Sequence, residues 1–234
     1  MARTNVRRPS ESPAGPTRAA RRGPGERAGL SRHSILEAAR DIVERDGLAA
    51  LTMRRLAEHL GVRPNAIYSH FTDKSALIDA LLDNLVADVP VPAEQADWAE
   101  GLVDLMRATR SLLLAHAELI PLFLSRPMSG PNAMRLGEVT LELLERAGLR
   151  GQDAIAALRI LLVYAFGFAA QEAPRLADPE PGKRQADSKA AFQAARDLPN
   201  VSRLADDLSL HPGDETFDRG LKWLIAGIKS GDGG

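Results

Sequence analysis

Apolar residues recur along residues 31–88 in a pattern that predicts four helices in quick succession. Ile35, Leu36, Ala39, Ile42 and Val43 fall at spacings of three, four and seven, so one face of a helix from Ser31 to about Asp46 is apolar. Ser31 is a natural N-cap and Gly47 a natural stop. Thr52 caps a shorter helix, Met53 to Leu60, with Met53, Leu56, Ala57 and Leu60 in one stripe, and Gly61 breaks it. Arg63 to His70 reads as a third helix, with Pro64 in the first turn where a missing N–H costs nothing. Asp73 caps a fourth that reaches about Asp88, with Leu77, Leu81 and Leu85 in register and Ile78 and Leu82 widening the face. Two short helices joined by a glycine-containing turn and braced on both sides make a helix-turn-helix.

The rest of the chain is helical in pattern too, so the fold class is all-α: a small N-terminal helix-turn-helix domain followed by a larger helical one. Asp97 to His116 is amphipathic, Glu118 to Leu124 continues it after a kink near Pro121, and Met134 to Ala147 follows, ended by Gly148. Gln152 to about Glu172 is apolar nearly all round, which predicts burial on several faces; Arg159 inside it is expected in a salt bridge. Its longest apolar run, about Ala154 to Ala170, falls short of the ~20 residues that span a bilayer, so no membrane partner is expected. The polar stretch 174–199, interrupted by Pro179 and Pro181, reads as a mobile loop, and Asp214 caps a last amphipathic helix. The divisions are 1–30 as a disordered basic arm, 31–76 as the helix-turn-helix domain, and 77–234 as the body.

Charge changes the picture. The net charge of −1 hides an asymmetry: residues 1–32 hold eight arginines against Glu11 and Glu26, a net +6, leaving −7 on the remainder. A basic arm of this kind is drawn to phosphate backbones by counterion release, although a merely solubilising tail has the same composition. The chain has no cysteine, which removes disulfides, thiolate metal sites and cysteine nucleophiles, and fits a cytoplasmic location. His33, His59, His70, His116 and His211 are scattered, and neither a phosphate loop nor HExxH occurs, so no catalytic residue, metal site or cofactor is expected and an enzyme is the remotest reading.

The run Thr52-Met-Arg-Arg-Leu56-Ala57-Glu-His-Leu60-Gly61-Val62-Arg-Pro-Asn-Ala-Ile-Tyr68-Ser-His70-Phe71-Thr-Asp-Lys74-Ser-Ala-Leu77 resembles the DNA-binding head of the tetracycline-repressor (TetR) family. Near the C-terminus, Glu215-Thr-Phe217-Asp-Arg-Gly220-Leu221-Lys-Trp-Leu224 resembles the last helix of that family's ligand domain. The resemblance implies a bacterial homodimeric repressor on a pseudo-palindromic, double-stranded operator, released by a small-molecule effector. The helix-turn-helix itself places Arg63, Pro64, Asn65 and Ser69 toward base edges, since the second helix lies in the major groove. Thr52, Arg54, Tyr68, His70 and Lys74 fall to phosphate contacts; four of them, all but Arg54, stand at the family's positions.

A ligand cavity in the body is implied by the resemblance alone, with Leu105, Met106, Thr109, Leu113, His116, Phe123, Met134, Leu162, Phe166 and Gln171 as candidate walls that plain core would equally explain. In the drug-binding members a metal-coordinating histidine precedes the Arg-Pro pair; here Pro121-Leu-Phe-Leu124 precedes Arg126-Pro127, which argues against a magnesium–tetracycline ligand. The competing reading is a DNA-binding regulator or activator controlled by a protein partner, with a body packed solid.

Overall fold

The computed structural model describes residues 30–230, and every regular element among them is a helix. The N-terminal helices are α1 (Arg32–Asp46), α2 (Met53–Leu60), α3 (Pro64–Tyr68) and α4 (Lys74–Val86). The body is built from α5 (Trp98–Ala115), α6 (Ile120–Ser125), α7 (Pro131–Arg146), α8 (Gly151–Leu176) and the last helix α12 (Asp214–Ser230), with α9 (Pro181–Ala194), α10 (Pro199–Arg203) and α11 (Ala205–Ser209) between the last two. The expected basic arm, Leu30 apart, lies outside the described residues.

Local chemistry sets the helix starts as the sequence suggests. Ser31 and Ser34 form a reciprocal capping box, Thr52 Oγ1 accepts from the Arg55 N–H at 3.1 Å, Asp73 Oδ1 from Ala76 at 2.8 Å, and Asp97 Oδ1 from Ala99 and Glu100. Gly61 closes α2 at φ +66°, a left-handed conformation that would strain any residue with a Cβ. Ile35, Ile42, Leu51, Leu56, Ile67, Phe71, Leu77 and Leu81 are almost wholly buried together, so the short α2 and α3 are held by tertiary packing rather than by their own propensity. Arg32, counted above with the basic arm, does specific work here. Its guanidinium lies 4.2 Å from the centre of the Phe71 ring and donates to the His70 carbonyl at 3.1 Å, fixing the turn after α3.

In the body α5 packs along α8 and α7, and α12 packs on α5 and α8. Arg110 of α5 ties these layers: its guanidinium donates to both Glu172 oxygens on α8 and to Asp214 on α12, and lies over the Phe217 ring. Tyr164 of α8 donates to the Phe217 carbonyl at 2.9 Å and stacks on its ring, an approach that leaves no room for a Cβ at Gly220.

Several expectations are corrected. Pro121 stands in the first turn of α6, after a 3-10 turn over Ala117–Leu119, so it starts a helix instead of kinking one. Segment 174–199 is not a loop: α8 runs through Pro174 to Leu176, and α9 begins at Pro181, again a first-turn proline. Asp178 braces the junction, accepting from the Glu180 N–H and pairing with Arg184. α9, α10 and α11 pack chiefly on one another. Helix α8, at 26 residues, is long and apolar enough by length and composition to cross a membrane, although buried core helices pass the same test. It is not buried on all faces. Arg159 stands exposed without an ion pair to another described residue, next to exposed Ile160 and Val163.

Candidate DNA-binding face and ligand cavity

Helix α3 has one buried residue, Ile67, and it fixes the roll of the helix. With Ile67 in the core, Arg63, Pro64, Asn65, Tyr68 and Ser69 all face solvent, so the predicted base readers share one surface. Ser69 Oγ donates to the Ala66 carbonyl at 2.7 Å, so in this arrangement it offers acceptor lone pairs. Thr52 is exposed at the start of α2, and half-buried His70 and Lys74 flank the turn into α4. Arg54 is also exposed but pairs with Glu58 one turn on, at 2.9 Å, an interaction it would have to share with any phosphate.

In the body, α4, α5, α6, α7 and α8 line a cavity of about 530 Å³ that opens to solvent where Leu124, Met134 and Val163 are exposed. Of the candidate walls, Met106, Thr109, Leu113, Phe123, Met134, Leu162 and Phe166 line it. Leu105, His116 and Gln171 do not. On α5, Met106, Thr109, Leu112 and Leu113 reach the cavity, whereas Leu105 is fully buried in the closed core. Gln171 is exposed, one turn past the last α8 residue on the cavity wall, Gly167. The sequence reading missed Val86, Val89, Gly137 and Thr140, which also line the cavity. For Val86 and Val89 the available signal was their place at the end of an apolar face longer than a small head domain needs.

His116 belongs to a different site. It ends α5 with its side chain buried, and its Nε2 lies 3.4 Å from the Arg40 guanidinium of α1. Arginine can only donate, so Nε2 accepts and the ring proton sits on Nδ1, 3.7 Å from Glu44. Burial first, then the charge of Arg40, hold the imidazole below the usual histidine pKa. Arg40 also pairs with Asp88 just beyond α4, so the cluster joins α1, α4 and α5.

A second polar contact crosses from α4 to α7. The buried Asp83 carboxylate accepts from the backbone N–H groups of Asn132 at 3.3 Å and Ala133 at 2.9 Å, and from the Asn132 amide at 3.0 Å. The N-cap residue of α7 is Gly130, which makes no side-chain bond, so a carboxylate from another helix serves as the cap. A Cβ at Gly130 would overlap that carboxyl group. Nearby, Arg126 pairs with Asp79 and donates to Ser75, both on α4.

Comparison with known proteins agrees with this layout. Residues 35–81 match the model of bacterial regulatory proteins of the tetR family, and residues 91–231 match the tetracycline repressor-like C-terminal domain. An HTH-type transcriptional regulator of Saccharopolyspora erythraea is 31% identical over 202 residues, 85% of this chain and 84% of that protein. The HTH-type transcriptional repressor DrrR1 of Streptomyces coeruleorubidus is 31% identical over 218 residues, 89% of this chain and 80% of that one. Among solved structures, ActR of Streptomyces coelicolor in complex with actinorhodin superposes with a TM-score of 0.80 at 30% identity, covering 88% of this chain and all of that one. The helix-turn-helix head and helical body are those of this family of ligand-responsive, DNA-binding transcriptional repressors. The chain belongs to the tetR family of transcriptional regulators.

Proposed function

We propose that the chain acts as a homodimer on a pseudo-palindromic operator, represses by occupying it, and leaves when a small molecule fills the cavity. The observation that carries this reading is the span of α4. Its first residue, Lys74, sits directly behind the recognition helix, Leu77 and Leu81 are locked in the core, and Val86 and Val89 at its far end form cavity wall. A ligand that moves the wall moves the helix that aims α3. The boundary between head (31–76) and body (77–234) falls within this helix, as a lever requires.

Arg63 is assigned to guanine O6 and N7, Asn65 to adenine N6 and N7, and Pro64 and Ser69 to neighbouring base edges. Thr52, Tyr68, His70, Lys74 and Arg54 are assigned to phosphates. Dimerisation is supported by the outer face of α8 and its neighbour α12. Ile160, Val163 and Trp223 are exposed there, Val163 and Trp223 by 72% and 71%, and Leu224 shares a shallow groove with Ile160 and Val163. Pairing two such faces would set the recognition helices ~34 to 36 Å apart, one turn of DNA. DNA as partner places the working protein in the cytoplasm, and the cavity weighs against control by a protein partner alone.

The test is selection of bound duplexes from a random pool by the wild-type protein and by Arg63→Ala and Tyr68→Ala variants. One palindromic motif, relaxed at a guanine by the first and weakly recovered by the second, is expected. No enriched motif would refute sequence-specific repression.

A further inference from the structure

We infer that the cavity takes uncharged, ring-bearing molecules that donate hydrogen bonds, hydroxylated aromatic compounds in chemical terms, and that Thr109 and Thr140 recognise the donor. This rests on the cavity being the effector site and adds the chemistry of its ligand.

Among the described residues no ionisable side chain lines the cavity. The cavity opens to solvent beside Leu124, Met134 and Val163, yet a charged ligand finds no counter-charge in its lining, so neutral ligands are favoured over anions and cations. The polar side chains in the lining are Thr109 on α5 and Thr140 on α7, 4% and 1% exposed. A threonine hydroxyl carries one proton and two acceptor positions. Both protons are already committed: Thr109 Oγ1 donates to the Leu105 carbonyl at 2.8 Å, and Thr140 Oγ1 to the Leu136 carbonyl at 2.7 Å. The lone pairs that remain can only accept. A ligand hydroxyl or N–H gains a bond there, whereas a ligand ether or carbonyl oxygen meets another oxygen's lone pairs unless a buried hydroxyl first breaks its own bond.

The apolar part of the lining fits a ring system. Phe123 and Phe166 stand on the wall with centroids 6.1 Å apart and planes tilted by 56°, an arrangement that leaves a ring edge and a ring face for a flat molecule. The volume of about 530 Å³ suits a drug-sized compound.

The experiment titrates the full-length protein calorimetrically with three molecules of one shape: 2-naphthol, 2-methoxynaphthalene and 2-naphthoate. 2-Naphthol is expected to bind roughly fivefold to tenfold more tightly than the methyl ether, the worth of one buried neutral hydrogen bond, and more tightly than 2-naphthoate. In a Thr109→Val, Thr140→Val double variant the naphthol advantage disappears while the affinity for the ether stays. Should that variant fold poorly, the wild-type protein gives the same answer with 4-nitrophenol, whose apparent pKa must rise on binding because the neutral form binds more tightly than the phenolate. Equal or tighter binding of 2-naphthoate or the ether, a naphthol preference that survives the double variant, or a lowered pKa of bound nitrophenol would overturn the inference. Gly137→Phe, which fills the cavity, separates the two levels. If the probes bind it as they bind wild type, the cavity is not their site and both readings fall; if they bind neither protein, the inferred ligand chemistry falls while the cavity remains open to another effector.

Discussion

Replacing Asp83 with alanine removes the cap of a helix that the residue does not belong to. The loss comprises three hydrogen bonds to one carboxylate, all from the first turn of α7 and two of them from its backbone, where the helix dipole favours a negative group. A lost N-cap costs ~0.5 to 2 kcal/mol, and because this one is charged and buried the expected loss is about 2 kcal/mol. Asp83→Asn keeps the shape and one acceptor oxygen and should lose about half as much. Gly130→Ala attacks the same contact from the other side, since its Cβ would displace the carboxyl group. Urea unfolding followed by circular dichroism reads these differences as shifts in midpoint at constant slope. The contact also joins α4 to a cavity wall that includes Ala133, Met134, Gly137 and Thr140, so the alanine variant should bind a ligand yet release DNA less completely. An Asp83→Ala protein within about 0.5 kcal/mol of wild type would refute the reasoning, because surface substitutions lie in that range.

Further outcomes follow from other contacts. Arg63→Ala should relax discrimination at one operator guanine by about 1 to 3 kcal/mol, whereas Lys74→Ala should weaken binding to all sequences and lower the salt slope by about one, both read by fluorescence anisotropy across salt. His116 has a lowered pKa in the folded state, so the unfolded chain binds its proton first; stability is full above the usual histidine value of 6.5 and falls as pH drops below it toward the folded value. A series of urea melts from pH 7.5 to about 5 should show that fall in wild type and lose part of it in His116→Gln, with Arg40, Glu44, Asp88 and Glu118 as the charges that act on the ring. Trp223→Arg on α12 should shift the protein to monomer in sedimentation equilibrium while leaving the far-UV spectrum intact, since Trp223 is solvent-exposed within one chain and is not part of the cavity wall.

The head was legible because its signals are local. Ser31, Thr52 and Asp73 cap the helices they precede, and Gly61 takes the left-handed angle that a glycine after a helix suggests. The start of α7 was misplaced by three residues, at Met134 instead of Pro131, for a physical reason: its cap comes from Asp83, far away in sequence. Arg110 and Arg32 went unnoticed likewise, since their partners lie on other helices or beyond a turn. The cavity residues were legible only in part. Leu105 and Met106 are equally apolar, and which of them faces the cavity depends on the roll of α5 against α8. The apolar periphery of α8 announced a need for partners, but one face of it finds none among the described residues, and a sequence does not distinguish packing inside a chain from packing against a second copy.

The central claim is that filling the cavity changes the grip of α3 on DNA. It is tested most directly by measuring affinity for a selected operator duplex, by fluorescence anisotropy, with and without a saturating ligand whose binding is blocked by Gly137→Phe. The account predicts that the ligand weakens operator binding by a factor of about 5 to 150, equivalent to about 1 to 3 kcal/mol of coupling. Unchanged operator affinity at full occupancy of the cavity would contradict it.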